Sequence, residues 1–107
     1  MGRTSTADLI ISHLGGKDLL IRLGAHNFVI DETHVSFTLD HKNPKGVHLL
    51  LISIEPNGKF VMTAKGPIKP GFLTAPTLGR VTVDIPDNLA AVFGSLTGIE
   101  ILKHRHL

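Results

Sequence analysis

The sequence predicts an α+β domain: two short N-terminal helices, an antiparallel sheet of about four to five strands and one C-terminal helix. Three observations predict it. Apolar residues recur at helical spacing over the first two dozen positions, they alternate with polar ones through the middle of the chain, and they return to helical spacing after Pro86. A chain of 107 residues is one domain, long enough to bury a single core without staples. Positions 1–4 and 103–107 are expected to be flexible tails.

The first helix opens at Ser5-Thr-Ala-Asp8, a hydroxyl placed three residues before a carboxylate, which is capping-box spacing. Ala7, Ile10, Ile11 and Leu14 then form one apolar stripe, and Gly15-Gly16 ends it because glycine accepts the positive φ of a C-terminal cap. A second helix over Lys17–Leu23 turns Leu19, Leu20 and Leu23 inward and stops at Gly24. Phe28-Val-Ile30 reads as a short strand with Phe28 and Ile30 as core anchors, and Ala25-His26-Asn27 as the connector leading into it. In His34–Asp40, Val35, Phe37 and Leu39 alternate with Ser36, Thr38 and Asp40, the pattern of a half-buried strand.

Val47–Ile54 is almost wholly apolar and predicts a central strand covered on both faces. Glu55-Pro-Asn-Gly58 is a turn, since proline fixes φ and Asn-Gly tolerates positive φ, and Phe60–Lys65 is its partner strand. Gly66–Gly79 holds three prolines and three glycines and predicts an irregular surface loop. Val81, Val83 and Ile85 alternate with Arg80, Thr82 and Asp84 as a further strand. Pro86 suits the first turn of a final helix whose inner face is Leu89, Val92, Phe93 and Leu96, closed by Gly98.

Composition excludes several function classes. With no Cys, disulfides, thiolate zinc sites and cysteine nucleophiles are out. Leu49-Leu-Leu-Ile52, like every apolar run in the chain, is far too short to span a bilayer, and MGRTSTADL has no signal-peptide core. The expectation is a cytoplasmic protein with no membrane partner. There is no G-x-S-x-G elbow, no H-E-x-x-H helix and no phosphate loop of recognised spacing, so an enzyme is not expected. Seven histidines do not make a metal site. His34, His41 and His48 are separated by turns, and His104-x-His106 supplies two ligands where zinc wants three or four. No cofactor is expected.

Charge points to binding. Residues 1–40 carry three basic and five acidic side chains, whereas 41–80 carry Lys42, Lys45, Lys59, Lys65, Lys69 and Arg80 against Glu55 alone. That basic middle would steer an anionic partner. Ile68, Phe72 and Leu73 form an apolar cluster beside Lys65 and Lys69 in a segment that favours neither helix nor strand. Presented outward, it is an anchor with a charged rim; folded back, it plugs the sheet. Phe28, Phe37 and Phe93 are expected in the core, leaving Phe60 and Phe72, of which Phe72 is the one expected at the surface. The partner-binding set is therefore Lys42, Lys45, Lys65, Ile68, Lys69 and Phe72. The same lysines could grip phosphates, making nucleic acid the alternative partner. An exposed edge strand is a route to a homo-oligomer.

Three segments, LGAHNFV, ISIEPNGKFVMTAKG and LAAVFGSLTGI, resemble in order and spacing a family of small, poorly characterised proteins carried by bacteriophages and other mobile elements. Its members show a G-A-x-N-F segment after an N-terminal helix, then a sheet hairpin, then an L-x-x-x-F-x-x-x-T-G-[LI] helix end. Gly24, Ala25, Asn27 and Phe28 match the first motif; Leu89, Phe93, Thr97, Gly98 and Ile99 match the last. The likeness covers roughly residues 9–101. It departs in the hairpin, which here has fewer aromatic and acidic residues, and in the proline-rich loop. The resemblance implies a mobile-element origin and a site of action in the bacterial host's cytoplasm, and carries no catalytic motif. The function expected on these grounds is a non-enzymatic accessory protein that binds a macromolecule, foremost a host protein such as a component of host defence.

Overall fold

The computed structural model describes residues 6–40 and 43–99. Ser5 and the expected tails lie outside them. The chain runs α1 (Thr6–His13), α2 (Lys17–Arg22), β1 (Ala25–Ile30), β2 (His34–Leu39), β3 (Leu49–Ile54), β4 (Phe60–Lys65), β5 (Thr77–Val83), a 3₁₀ turn (Pro86–Asn88) and α3 (Leu89–Thr97). The five strands form one antiparallel meander in the order β1-β2-β3-β4-β5. This is the expected α+β class.

Period-two alternation and strand register sort the side chains into rows. On one face Phe37, Leu50, Ala64 and Gly79 pair across β2–β5, beside the row Val35, Ile52, Met62 and Val81. The helices pack here: Ala7, Ile10 and Leu14 of α1 and its C-terminal cap, Leu20 of α2, and Leu89 and Phe93 of α3 are all fully buried with Phe37, Leu50 and Ile52. Phe37 is the centre, with its ring 5.3 Å from that of Phe28 and 6.3 Å from that of Phe93, both tilted.

Several expectations are corrected. The apolar strand begins at Leu49 rather than Val47 and is covered on one face only: Leu50 and Ile52 are buried, while Leu49 and Leu51 are half-buried on the side without helices. The run LLLIS therefore signals a sheet whose uncovered face is itself partly apolar. Strand β1 takes in Ala25-His26-Asn27, expected as a connector. Its ladder shifts between His26 and Val29, and Asn27 adopts φ 55°, so the strand bulges. The bulge still turns Phe28 inward, but Ile30 at the strand's end is 52% exposed and not a core anchor. Phe60 is core, not surplus. Thr77–Gly79, expected in the loop, begins β5, which ends at Val83 and leaves Ile85 exposed.

Glycine is required where β1 meets the end of β2. Gly24 has φ 104°, its carbonyl accepts a bond from the Asp40 N–H, and a Cβ there would lie 2.9 Å from Asp40 Cβ. Gly16 has a similar φ of 96° with nothing within 4 Å of that position. Gly16→Ala should therefore cost on the order of 1–3 kcal/mol of backbone strain, because φ 96° with ψ 156° is a conformation open essentially to glycine alone, and Gly24→Ala on the order of 1–3 kcal/mol more from overpacking. Urea denaturation compares the two, and equal costs would contradict the close approach of Gly24 to Asp40.

Candidate binding surface

A meander places alternate loops at the same end of the sheet, and this sorts the charges. The β1–β2 turn, the β3–β4 turn and the segment after β5 share one end, with Asp31, Glu32, Glu55, Asp84 and Asp87 against Lys59. The β2–β3 and β4–β5 loops share the other, with Lys45, His48, Lys65 and Lys69 against Asp40. Of the basic middle of the sequence, Lys45, Lys65 and Lys69 are thus gathered at one pole, while Lys59 lies at the other and Arg80 within β5. At the acidic pole the basic side chains lie near carboxylates: Lys59 Nζ is 3.5 Å from Asp84, and His34 Nδ1 is 3.6 Å from Asp31.

The two basic-pole loops are built differently. The β2–β3 loop is held by Asn43, whose side-chain amide donates to the carbonyls of Asp40 (2.8 Å) and Val47 (2.7 Å) while its oxygen accepts from the Val47 N–H (2.8 Å). The loop is tied to the end of α3 as well. The Lys45 N–H donates to the Thr97 carbonyl at 3.3 Å, and Pro44 fills the space where Gly98, at φ 79°, lacks a Cβ. Thr97 is fully buried, its hydroxyl donating to the Phe93 carbonyl and accepting from the Ile99 N–H. Lys45 therefore projects from a braced frame, and is exposed.

The β4–β5 loop is pinched at its base by a bond from the Gly66 N–H to the Pro76 carbonyl (2.9 Å). Within it Lys69-Pro-Gly-Phe72 makes a turn closed by the Phe72 N–H on the Lys69 carbonyl (3.0 Å), with Gly71 at φ 86°, as a type II turn requires. The turn presents Phe72 at its end. Ile68, Phe72 and Leu73 are 60%, 66% and 97% exposed, so the cluster points outward and does not plug the sheet. Lys69 and Phe72, with Thr74 and Pro76, line a small cup of about 280 Å³. Lys65 is half-buried at the loop's root, and Lys42 lies outside the described residues.

The helix-free face of the sheet adjoins this pole. Its rows run Val29, Ser36, Leu51, Thr63 and Arg80, and His26, Thr38, Leu49, Lys65 and Thr77. A depression of about 570 Å³ there is lined by Leu51 and Val61, by Ser and Thr hydroxyls, and by His34, Lys65 and Arg80. These rows hold neither a carboxylate nor a Phe ring, so bases would find cations but no phenyl stacking platform.

His26 lines a second depression, of about 470 Å³, with Asp40 and His48. Its Nδ1 lies 3.2 Å from the Gly24 carbonyl. Among the described residues no group of three His, Cys, Asp or Glu could hold a metal ion, and His41, His104 and His106 lie outside them. No helix of the described residues is long and apolar enough to cross a membrane. Comparison with family models, curated proteins and solved structures finds no match.

Sequence reasoning passed over Asn43, whose bracing role shows only when Asp40 and Val47 are seen closing around it. Asn43→Ala should lose about 1–3 kcal/mol, because the Val47 N–H and carbonyl are left without their partner. Hydrogen exchange at Val47 should quicken while exchange at Phe72 stays unchanged; a variant with wild-type exchange at Val47 would contradict this bracing.

Proposed function

We propose that this protein is a non-enzymatic accessory protein of a phage or other mobile element, working in the bacterial cytoplasm by binding a host protein, such as a component of host defence. The observation that carries the binding reading is the pairing of an outward apolar cluster, Ile68, Phe72 and Leu73, with lysines gathered at the same pole. A charged rim around an exposed aromatic anchor gives both approach and grip: the lysines raise the encounter rate and the buried ring slows release. Lys45, Lys65 and Lys69, together with Lys42 from the sequence, supply the steering; Ile68 and Phe72 supply the anchor. The mobile-element part rests on the resemblance of LGAHNFV and LAAVFGSLTGI.

Nucleic acid is the second reading, favoured by the same lysines and by Arg80 on a carboxylate-free sheet face. Against it stands the placement of the rings. Phe37, Phe60 and Phe93 are buried, and Phe28 is packed against Phe37, so of the five Phe rings Phe72 alone is free to stack on a base.

Capture from host lysate, with and without nuclease, by wild type and Phe72→Ala tests the first reading. Truncating a true anchor should weaken capture of the partner by 2 kcal/mol or more, on the order of thirtyfold. Unchanged capture would remove Phe72 from the site. Ionic strength separates the readings. Phosphate binding through about four lysines should fall with a log–log slope near −3.6 on duplex DNA, whereas an apolar-anchored protein contact should fall much less.

A further inference from the structure

The two edges of the sheet are unequal. The β1 edge is interrupted by its bulge at Asn27, a device that spoils pairing with a further strand. Strand β5 is the longest of the five at seven residues, and its only ladder irregularity falls near its start, leaving Gly79–Val83 in regular register with β4. It carries one charge, Arg80, and three β-branched residues in succession, Val81-Thr82-Val83. Leu78, Val81 and Ile85, on or beside it, are 50%, 36% and 51% exposed. Among the described residues no strand neighbours its outer row of N–H and C=O groups.

We infer that β5 pairs antiparallel with β5 of a second copy of this chain, joining two sheets into one of ten strands. The polarity of the charges selects this occupant. A two-fold axis perpendicular to the sheet reverses the strand direction, so the acidic pole of each copy comes to lie beside the basic pole of the other. A strand added parallel to β5 from the same chain would set like poles together. Register follows from Arg80. Centring the pair on Arg80 would oppose two guanidinium groups, which is unfavourable. Centring it on Thr82 opposes Thr82 to its own copy, sets Val81 against Val83 of the second copy, and places Arg80 directly across from that copy's Asp84, one residue past the end of β5. Asp84 is exposed, and its ion pair is with the exposed Lys59, so it is accessible to Arg80. The axis keeps both helix layers on one side and makes the carboxylate-free face continuous across the dimer. This association is separate from capture of a host protein at the basic pole.

Sedimentation equilibrium of the full chain across a dilution series, at low and high salt, tests the pairing. Wild type should show a reversible monomer–dimer equilibrium that weakens with salt. Val81→Lys should abolish it. Arg80→Glu should weaken it on the order of tenfold by setting a second carboxylate near Asp84, and the exchange Arg80→Glu with Asp84→Lys should restore it. Wild type remaining monomeric to about 100 µM would overturn the proposal, as would a dimer indifferent to Val81→Lys or a charge exchange that restores nothing. Hydrogen exchange on wild type alone is an independent test. Amides of Gly79–Val83 should gain protection with concentration, and concentration-independent exchange there would overturn the pairing even if every variant misfolded.

Discussion

The contact of Phe37 with Phe93 on one side and Phe28 on the other organises the molecule. Phe37 is fully buried in the second strand, so whatever covers it decides which face of the sheet is the core. The C-terminal helix brings Phe93 over that face, and the bulge in β1 turns Phe28 toward it from the edge. Because neighbouring side chains in a strand point opposite ways, this choice sends Ser36, Thr38, Ser53, Thr63 and Lys65 to the other face. The strands connect as a plain meander, and the meander gathers the loops of Lys45 and Lys69 at one pole and the acidic turns at the other. The charge separation thus follows from topology, with no single salt bridge needed to maintain it.

The segment LGAHNFVID, with its glycine, histidine, asparagine and aspartate, has the composition of an active site and the geometry of a joint. Gly24 allows close approach to Asp40, Ala25 is buried opposite Leu39, Asn27 takes the positive φ of the bulge and Phe28 packs on Phe37. The segment LAAVFGSLTGI is structural too. Leu89, Phe93 and Thr97 are fully buried, Gly98 takes the left-handed cap and makes room for Pro44, and Ile99 packs on the core. Both segments shape the frame that holds the loops. The loops themselves differ in kind: Asn43 and Thr97 stiffen the one carrying Lys45, while the one carrying Phe72 is pinned at its base and at one turn. A stiff charged element beside a less braced apolar one suits long-range steering followed by local fitting.

Much of the fold was legible because local chemistry and tertiary packing agree. Val35, Phe37 and Leu39 alternate and are buried, Gly58 closes the hairpin turn by its N–H on the Glu55 carbonyl, and Gly15, Gly16 and Gly98 take the positive φ their positions demand. The misreadings arose where the answer depends on a distant neighbour. Burial of Leu49-Leu-Leu-Ile52 on one face or two depends on where the helices settle. Asn27 reads equally well as turn or bulge until β2 lies beside it, and Thr77–Gly79 becomes strand because β4 is there to pair with. For the site, the basic excess was readable from the sequence and Phe72 stood out as the ring expected at the surface, but whether Ile68, Phe72 and Leu73 point outward or plug the sheet was decided only by the fold. That Lys45 and Lys69 share a pole, and that Arg80 faces the helix-free surface, required the register.

If the proposed function holds, the basic pole, and not the acidic one, meets the partner. A photo-crosslinking residue placed at position 72, compared with one at position 32 in the opposite turn, tests this directly in host lysate. The predicted result is a discrete adduct from position 72 that high salt weakens and nuclease leaves intact, with none from position 32. An adduct from position 32 alone, or equal adducts from both, would contradict it.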